Sequence, residues 1–315
     1  MLFRSSIELK EKALDRQGGD RSLIAGIANG LSWLAHSRAQ AGDLDEAASL
    51  YDRQRKKLED LLLLEPLATN WRYRLALAIK LKAQLLLALG NDRGALADIA
   101  RATALLDECL LKEPDNQLWL SDRADTLLVK ARALIATQAL VEGAEALDAA
   151  IADIDQASRQ DSADEIILPR LHANALLLRA HIQGLKGRIG EALENISAAE
   201  SLVPSLPGKA EKDKLRAILH ANILLARADL ERQQRKLDRA IPICRQARDR
   251  LAPFMPNSKD FRLLDPWVRA AMCSGDHETA AESAEILKKS GYRETTYINY
   301  TRREGKEDEQ YDQRR

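Results

Sequence analysis

The sequence predicts an all-α fold, a solenoid built from antiparallel helix pairs. Three observations predict it. Several independent markers recur along the chain with one period of 48 residues. Within each period, apolar residues recur at helical spacing on both sides of a turn, which makes two helices per unit. Composition leaves little room for anything else: Gly (15) and Pro (9) are sparse for 315 residues, aromatic residues make up 4%, and the apolar 45% is mostly Ala and Leu. These two, with Glu, Lys, Arg and Gln, are the strong helix formers. A single core stops growing near ~250–300 residues, so a chain of this length with an internal period reads as an array.

The period is measured on a turn of the type Gly-Asp-x-x-x-Ala. The turn residues are Gly42, Gly90, Gln138, Gly187, Arg235 and Gly275. Five residues later stand the small residues Ala47, Ala95, Gly143, Ala192, Ala240 and Ala280, spaced 48, 48, 49, 48 and 40. EPLATNW from Glu65 and EPDNQLW from Glu113 lie 48 apart, as do LHANALL from Leu171 and LHANILL from Leu219. A small residue just after the turn lets the second helix approach the first.

This pattern resembles the tetratricopeptide family, whose unit carries W-x2-L-G-x2-Y, then A-x3-F, then Pro. Leu31, Leu34 and Ala35 match the first helix of that unit, Ala47 and Tyr51 the second, and Pro66 the terminating proline. The resemblance implies a right-handed superhelix with first helices on its concave side. The period exceeds the family's by 14 residues, seven in each helix. Seven residues return a helix to within roughly 20° of its starting face, so the lengthened helices keep their packing stripe and reach about 20 residues, or ~30 Å.

Taken in order, residues 1–19 occupy the place of a second helix whose partner is missing, leaving Phe3, Ile7 and Leu14 with no upstream helix to cover them. The segment reads either as a cap, since arrays need atypical ends, or as a sign that the chain continues a longer polypeptide; self-association through this end is the associated expectation. Six pairs follow, at about 20–67, 68–115, 116–162, 163–208, 209–256 and 257–290. The fourth unit departs from the period, with a Pro/Gly-punctuated loop at 204–210 and its missing length regained in a long helix near 210–234. Residues 291–301, with three tyrosines, read as a segment covering the final pair. Residues 302–315 are almost wholly polar and read as a disordered tail.

The 48 basic and 48 acidic side chains cancel, which removes the electrostatic reason to propose nucleic acid or an anionic membrane as partner. No stretch approaches the ~20 apolar residues of a membrane span, and the opening MLFRSSIELKEKALDRQ has no apolar core for a signal peptide. Cys109, Cys244 and Cys273 lack metal-type or paired spacing and read as small buried hydrophobes in a reducing, cytoplasmic setting. The histidines form no ligand pair, and no phosphate loop, nucleophile elbow or dinucleotide fingerprint is present. The sequence therefore predicts no catalytic residue, cofactor or metal. Trp71 and Trp119 follow the period and read as packing residues; of Trp33 and Trp267, which do not, Trp267 is the better candidate for surface contact.

In the tetratricopeptide family, ligands are read from fixed positions of the first helices. Carried onto this chain, one such position gives His36, Gln84, Arg132, His181, Asp229 and Arg269, all polar among Ala and Leu. Another gives Asn29, Asp125, Asn174 and Asn222 alongside Leu77 and Arg262, and a third gives Ser32, Lys80, Leu128, Leu177, Leu225 and Asp265. These ladders, with an apolar central floor, suit an extended or helical segment of a protein partner. The expected role is a scaffold within a larger bacterial signalling or regulatory protein, with a self-standing adaptor or chaperone for an assembly or secretion partner as the rival and an enzyme with an unrecognised site third.

Overall fold

The computed structural model describes residues 2–17, 19–159, 167–203 and 210–312. Among them every regular element is a helix apart from a 3-10 turn at Ala252–Phe254: α1 (Leu2–Gln17), then the pairs α2 (Arg21–Gln40) with α3 (Leu44–Leu64), α4 (Thr69–Ala88) with α5 (Asp92–Leu110), α6 (Gln117–Ala136) with α7 (Leu140–Ser158), α8 (Ile167–Leu185) with α9 (Ile189–Leu202), α10 (Ala210–Gln233) with α11 (Leu237–Leu251), α12 (Phe261–Cys273) with α13 (His277–Lys289), and finally α14 (Thr295–Asp312).

Each pair is set by its turn. All six turn residues take positive φ, from 61° at Arg235 to 84° at Gly42. That left-handed residue closes the preceding helix: the N–H of Gly42 donates to the Ala39 carbonyl and that of Asp43 to the Arg38 carbonyl, and the same two bonds recur at the other five turns. Gln138 and Arg235 do this without being glycine, at a steric cost of ~1–2 kcal/mol each. Asn91 and Asp276 also cap the helices that follow their turns. The small residues after the turn, such as Ala47, Ala95, Ala192 and Ala240, are fully buried between the two helices of their pair.

Helices α2 to α7 run 19 to 21 residues each, while α9, α11, α12 and α13 shorten to between 13 and 15 and α10 lengthens to 24. The proline-rich loop expected at 204–210 lies almost wholly outside the described residues.

Three expectations are corrected. Ile7 is 3% exposed and not an uncovered face, because α1 packs antiparallel on α2 with Ile7 against Gly30, where a Cβ would fall 2.9 Å from its Cγ1. Leu14 packs partly buried against the same core, and Phe3's side chain lies outside the described residues. Trp33, not Trp267, is the exposed tryptophan at 63%: no described helix covers that face of α2, whereas Trp267 packs against the core between α10, α11 and α12. Cys244 and Cys273 are not separate thiols. Their Cα atoms lie 5.9 Å apart across α11 and α12 and the two are joined as a disulfide, leaving Cys109 free and buried. A separation of 29 residues hides such a pair because facing helices create it.

The array also closes on itself. The α2–α3 turn meets the far end of the chain: a Cβ on Gly42 would lie 3.4 Å from the Lys259 carbonyl oxygen and 3.6 Å from Ser290 Cβ. One apolar core joins Leu31 and Tyr51 of the first pair to Leu264 and Val268 of α12 and to Tyr292 and Tyr297. The polar tail expected to be disordered from residue 302 is helical to Asp312. Its Glu, Lys, Arg and Gln are good helix formers, and α14 starts from an anchored turn, so the costly nucleus of a new helix is already formed.

Candidate partner-binding cavity

First helices turn inward. Side chains of α4, α6, α8, α10 and α12 surround a cavity of about 760 Å³, closed on one side by Tyr292, Glu294 and the first turns of α14. Among the predicted ladder residues, Gln84, Asp125, Arg132, Asn174, His181, Asn222, Asp229 and Arg269 line this one cavity. Lys80 does not line it. It is buried beneath, with its ammonium 2.8 Å from Asp125 and 3.0 Å from Asp122. Burial alone would raise the Asp125 carboxyl, but the Lys80 charge and hydrogen bond outweigh it and hold it below the usual range.

Asn29 and His36 stand apart from the cavity. Asn29 is exposed and accepts from Arg74, and His36 is exposed beside Gln40 at 3.0 Å. The first unit lies against the far end of the chain, so its exposed ladder positions do not share the wall built by units two to six. Of the expected apolar floor, Leu128 and Leu177 face the cavity while Leu225 is buried in the core of the fifth pair.

The segment from Tyr292 to Arg303 occupies part of the concave surface that sequence reasoning left open. It does more than cover the final pair: the Arg293 N–H donates to the Ala88 carbonyl at 2.7 Å, and Thr295 Oγ1 donates to Asp92 at 2.6 Å. A Cβ at Gly90 would lie 2.8 Å from the Arg293 carbonyl oxygen, so that turn needs glycine twice over. Glu294 takes a charge-assisted bond from Arg132 at 2.7 Å. Tyr300 lies beneath the Arg269 guanidinium, 5.0 Å from ring centroid to Cζ, and Arg303 reaches Asp229 at 3.3 Å.

Tyr292 sits at the hub, 3% exposed, its hydroxyl 2.6 Å from Asp265 Oδ2 and 2.8 Å from Glu294 Oε2. One hydroxyl proton cannot serve two carboxylates. Burial raises the Asp265 carboxyl above the usual range, while Arg132 outweighs burial at Glu294 and lowers it, so a proton settles more readily on Asp265. His181 is exposed to the open space of the cavity, and the protein mass around that space lowers its pKa by desolvation. Among the described residues, no group of three or more His, Cys, Asp or Glu is placed to hold a metal ion.

Sequence reasoning missed Arg170, Gln233, Glu294 and Arg303. Arg170 lies just ahead of the unit positions transferred from the resemblance, and Gln233 one turn beyond Asp229. The three tyrosines after residue 291 were the visible signal for the closing segment, but not for where it lands.

No protein-family model matches the chain, and no curated protein matches it. The stacked antiparallel helix pairs are the architecture that the tetratricopeptide resemblance implies. Solved structures similar to it include a tetratricopeptide repeat protein from Parabacteroides merdae, at 15% identity and TM-score 0.47 over 95% of this chain and 90% of that one. Others are Pseudomonas aeruginosa PilF, at 17% identity and TM-score 0.37 over 85% and 92%, and yeast Tom70, at 14% and 0.46 over 98% and 59%. No described helix is long and apolar enough to cross a membrane.

Proposed function

We propose that the chain is a non-catalytic protein–protein interaction scaffold that holds a segment of a partner protein in the central cavity. One observation carries this reading: eight predicted ladder residues, drawn from five units, converge on one cavity of mixed polar and apolar lining whose wall already holds a segment of polypeptide, the chain's own residues 292–303. A surface that grips Glu294, Tyr300 and Arg303 has the chemistry to grip another segment beside them. The setting remains a larger bacterial signalling or regulatory protein. The Cys244–Cys273 bridge favours a second setting, a self-standing adaptor for an assembly or secretion partner, because disulfides persist where thiols are oxidised.

Arg132 and Asp229 are tied to residues 294 and 303, so their removal would disturb the fold along with the cavity. Asn174→Ala, His181→Ala and Asn222→Ala together change only cavity-facing groups. In a pull-down from the source cell, this triple variant is expected to lose the proteins that wild type retains, with an unchanged melting curve, while Glu278→Ala on the outer surface retains them. Equal retention by the triple variant would remove the cavity as the site.

A further inference from the structure

The proposed cavity has a chemistry that names its occupant more closely, a refinement that rests on reading the cavity as a peptide site. Its charged lining residues are nearly all paired within the chain. Asp125 is held by Lys80, Arg132 by Glu294, Arg262 by Asp260 at 2.8 Å, and Asp229 by Arg269 and Arg303 at 3.4 and 3.3 Å. Arg170 differs. It lines the cavity with no side-chain ion pair or hydrogen bond among the described residues, and the carboxylate that feels its charge, Asp125, is already taken by Lys80.

The side chains around Arg170 are open in the same way. Asn174, one turn on along α8, spends its Nδ2 on the Arg170 carbonyl at 3.0 Å and keeps Oδ1 free. Asn222 is its equivalent 48 residues on in α10, and it lines the cavity with no hydrogen-bond partner among the described residues, as does His181. Leu177, Leu178 and Ile218 supply an apolar wall beside them. About 760 Å³ lies within the ~300–1,000 Å³ of ligand pockets. A helix ~10–12 Å across would fill it in about two turns, so a short extended stretch fits better. The chain itself shows how this lining receives an acid: Glu294 reaches Arg132 from a segment that also buries aromatic rings beside it.

We infer that the partner segment is a short extended stretch carrying an acidic side chain next to an aliphatic one, with the carboxylate on Arg170, its backbone met by Asn174 and Asn222, and the aliphatic group against Leu177, Leu178 and Ile218. Affinity comes from the apolar contact and the backbone amides; selection comes from the Arg170 guanidinium, because a charge-assisted bond to a carboxylate is the strong kind.

The test uses the full chain and three pools of fluorescein-labelled, end-capped hexapeptides, X-X-Glu-Leu-X-X, X-X-Gln-Leu-X-X and X-X-Lys-Leu-X-X, followed by fluorescence anisotropy. The glutamate pool is expected to bind wild type on the order of tenfold more tightly than the glutamine pool, and the lysine pool weakest. Arg170→Gln is expected to erase the glutamate preference with its melting curve unchanged, while Asn222→Ala weakens all pools alike. Equal binding of the three pools, or a glutamate preference that survives Arg170→Gln, overturns the inference and leaves the peptide cavity standing. Failure of every pool to bind overturns both.

Discussion

Two sides of one cavity are built from the same repeating helices and differ in what has been done with them. Where residues 292–303 lie along α6, α12 and the last turns of α10, Arg132, Asp265, Arg269 and Asp229 are drawn into a network centred on Tyr292. Across the cavity, on α8 and the middle of α10, Arg170, His181 and Asn222 line the same space with no side-chain hydrogen bond or ion pair among the described residues. Repetition alone supplied polar side chains to both walls; the chain's own closing segment, residues 292–303, used one set and left the other. A polar concave position is therefore no measure of availability: Arg132 is a fold residue and Arg170 is a site residue, although both sit on inner faces of first helices.

The largest test of this difference falls on the hub. Tyr292→Ala removes a ring packed on Phe261 and Tyr297, with centroids 5.5 and 5.3 Å away, and is expected to cost about 3–5 kcal/mol in urea unfolding. A cost below about 1 kcal/mol would mean that the closing segment is not anchored there. The disulfide pins α12, which carries Asp265 and Arg269, to α11. Thiol titration of the denatured, unreduced protein is expected to find one reactive cysteine per chain, Cys109, and Cys244→Ser with Cys273→Ser is expected to cost about 3 kcal/mol. Three reactive thiols would mean that the bridge does not pin the two helices.

The sharpest contrast is between two arginines. Arg132→Ala leaves Glu294 without its cation; with Arg132 39% exposed, solvent screening holds the expected loss to about 1–2 kcal/mol. Arg170→Ala is expected to stay within about 0.5 kcal/mol of wild type, and similar costs for the two would erase the distinction between the walls. The smallest effect is in pH. Burial works against the carboxylates of Glu294, Asp125 and Asp260, but their cationic partners outweigh it and lower all three. Their stabilisation is therefore complete above the ordinary carboxylate range near ~4 and is lost as pH falls through the lower folded values. Asp265, raised by burial, has the opposite sign and offsets part of the loss. The melting temperature is expected to drop below about pH 4, and Glu294→Gln to flatten that drop; an unchanged profile in this variant would remove Glu294 from the linkage.

The helix pairs were legible because their causes are local. The period placed a turn at Gln138 and Arg235 even without glycine, and both adopt the left-handed conformation, since hydrogen bonds across the end of the preceding helix demand it there. Eight ladder residues were legible for the same reason: a fixed position in each unit shares one face. Asn29 and His36 were placed on the same surface by the same rule and do not reach it, because position within a unit says nothing about where the unit stands in the array.

From its sequence alone this protein's helices, their pairing and their inward faces were determined, since 3.6-residue periodicity, small post-turn residues and left-handed turns act over a few residues at a time. Only the tertiary structure decided that the first pair meets the last, that residues 292–303 take part of the concave surface, that Cys244 finds Cys273, and that Arg170 is left over. Those outcomes depend on small rotations between neighbouring units summed over six of them, and a sum of that kind is carried by the packing of the whole chain rather than by any stretch of it.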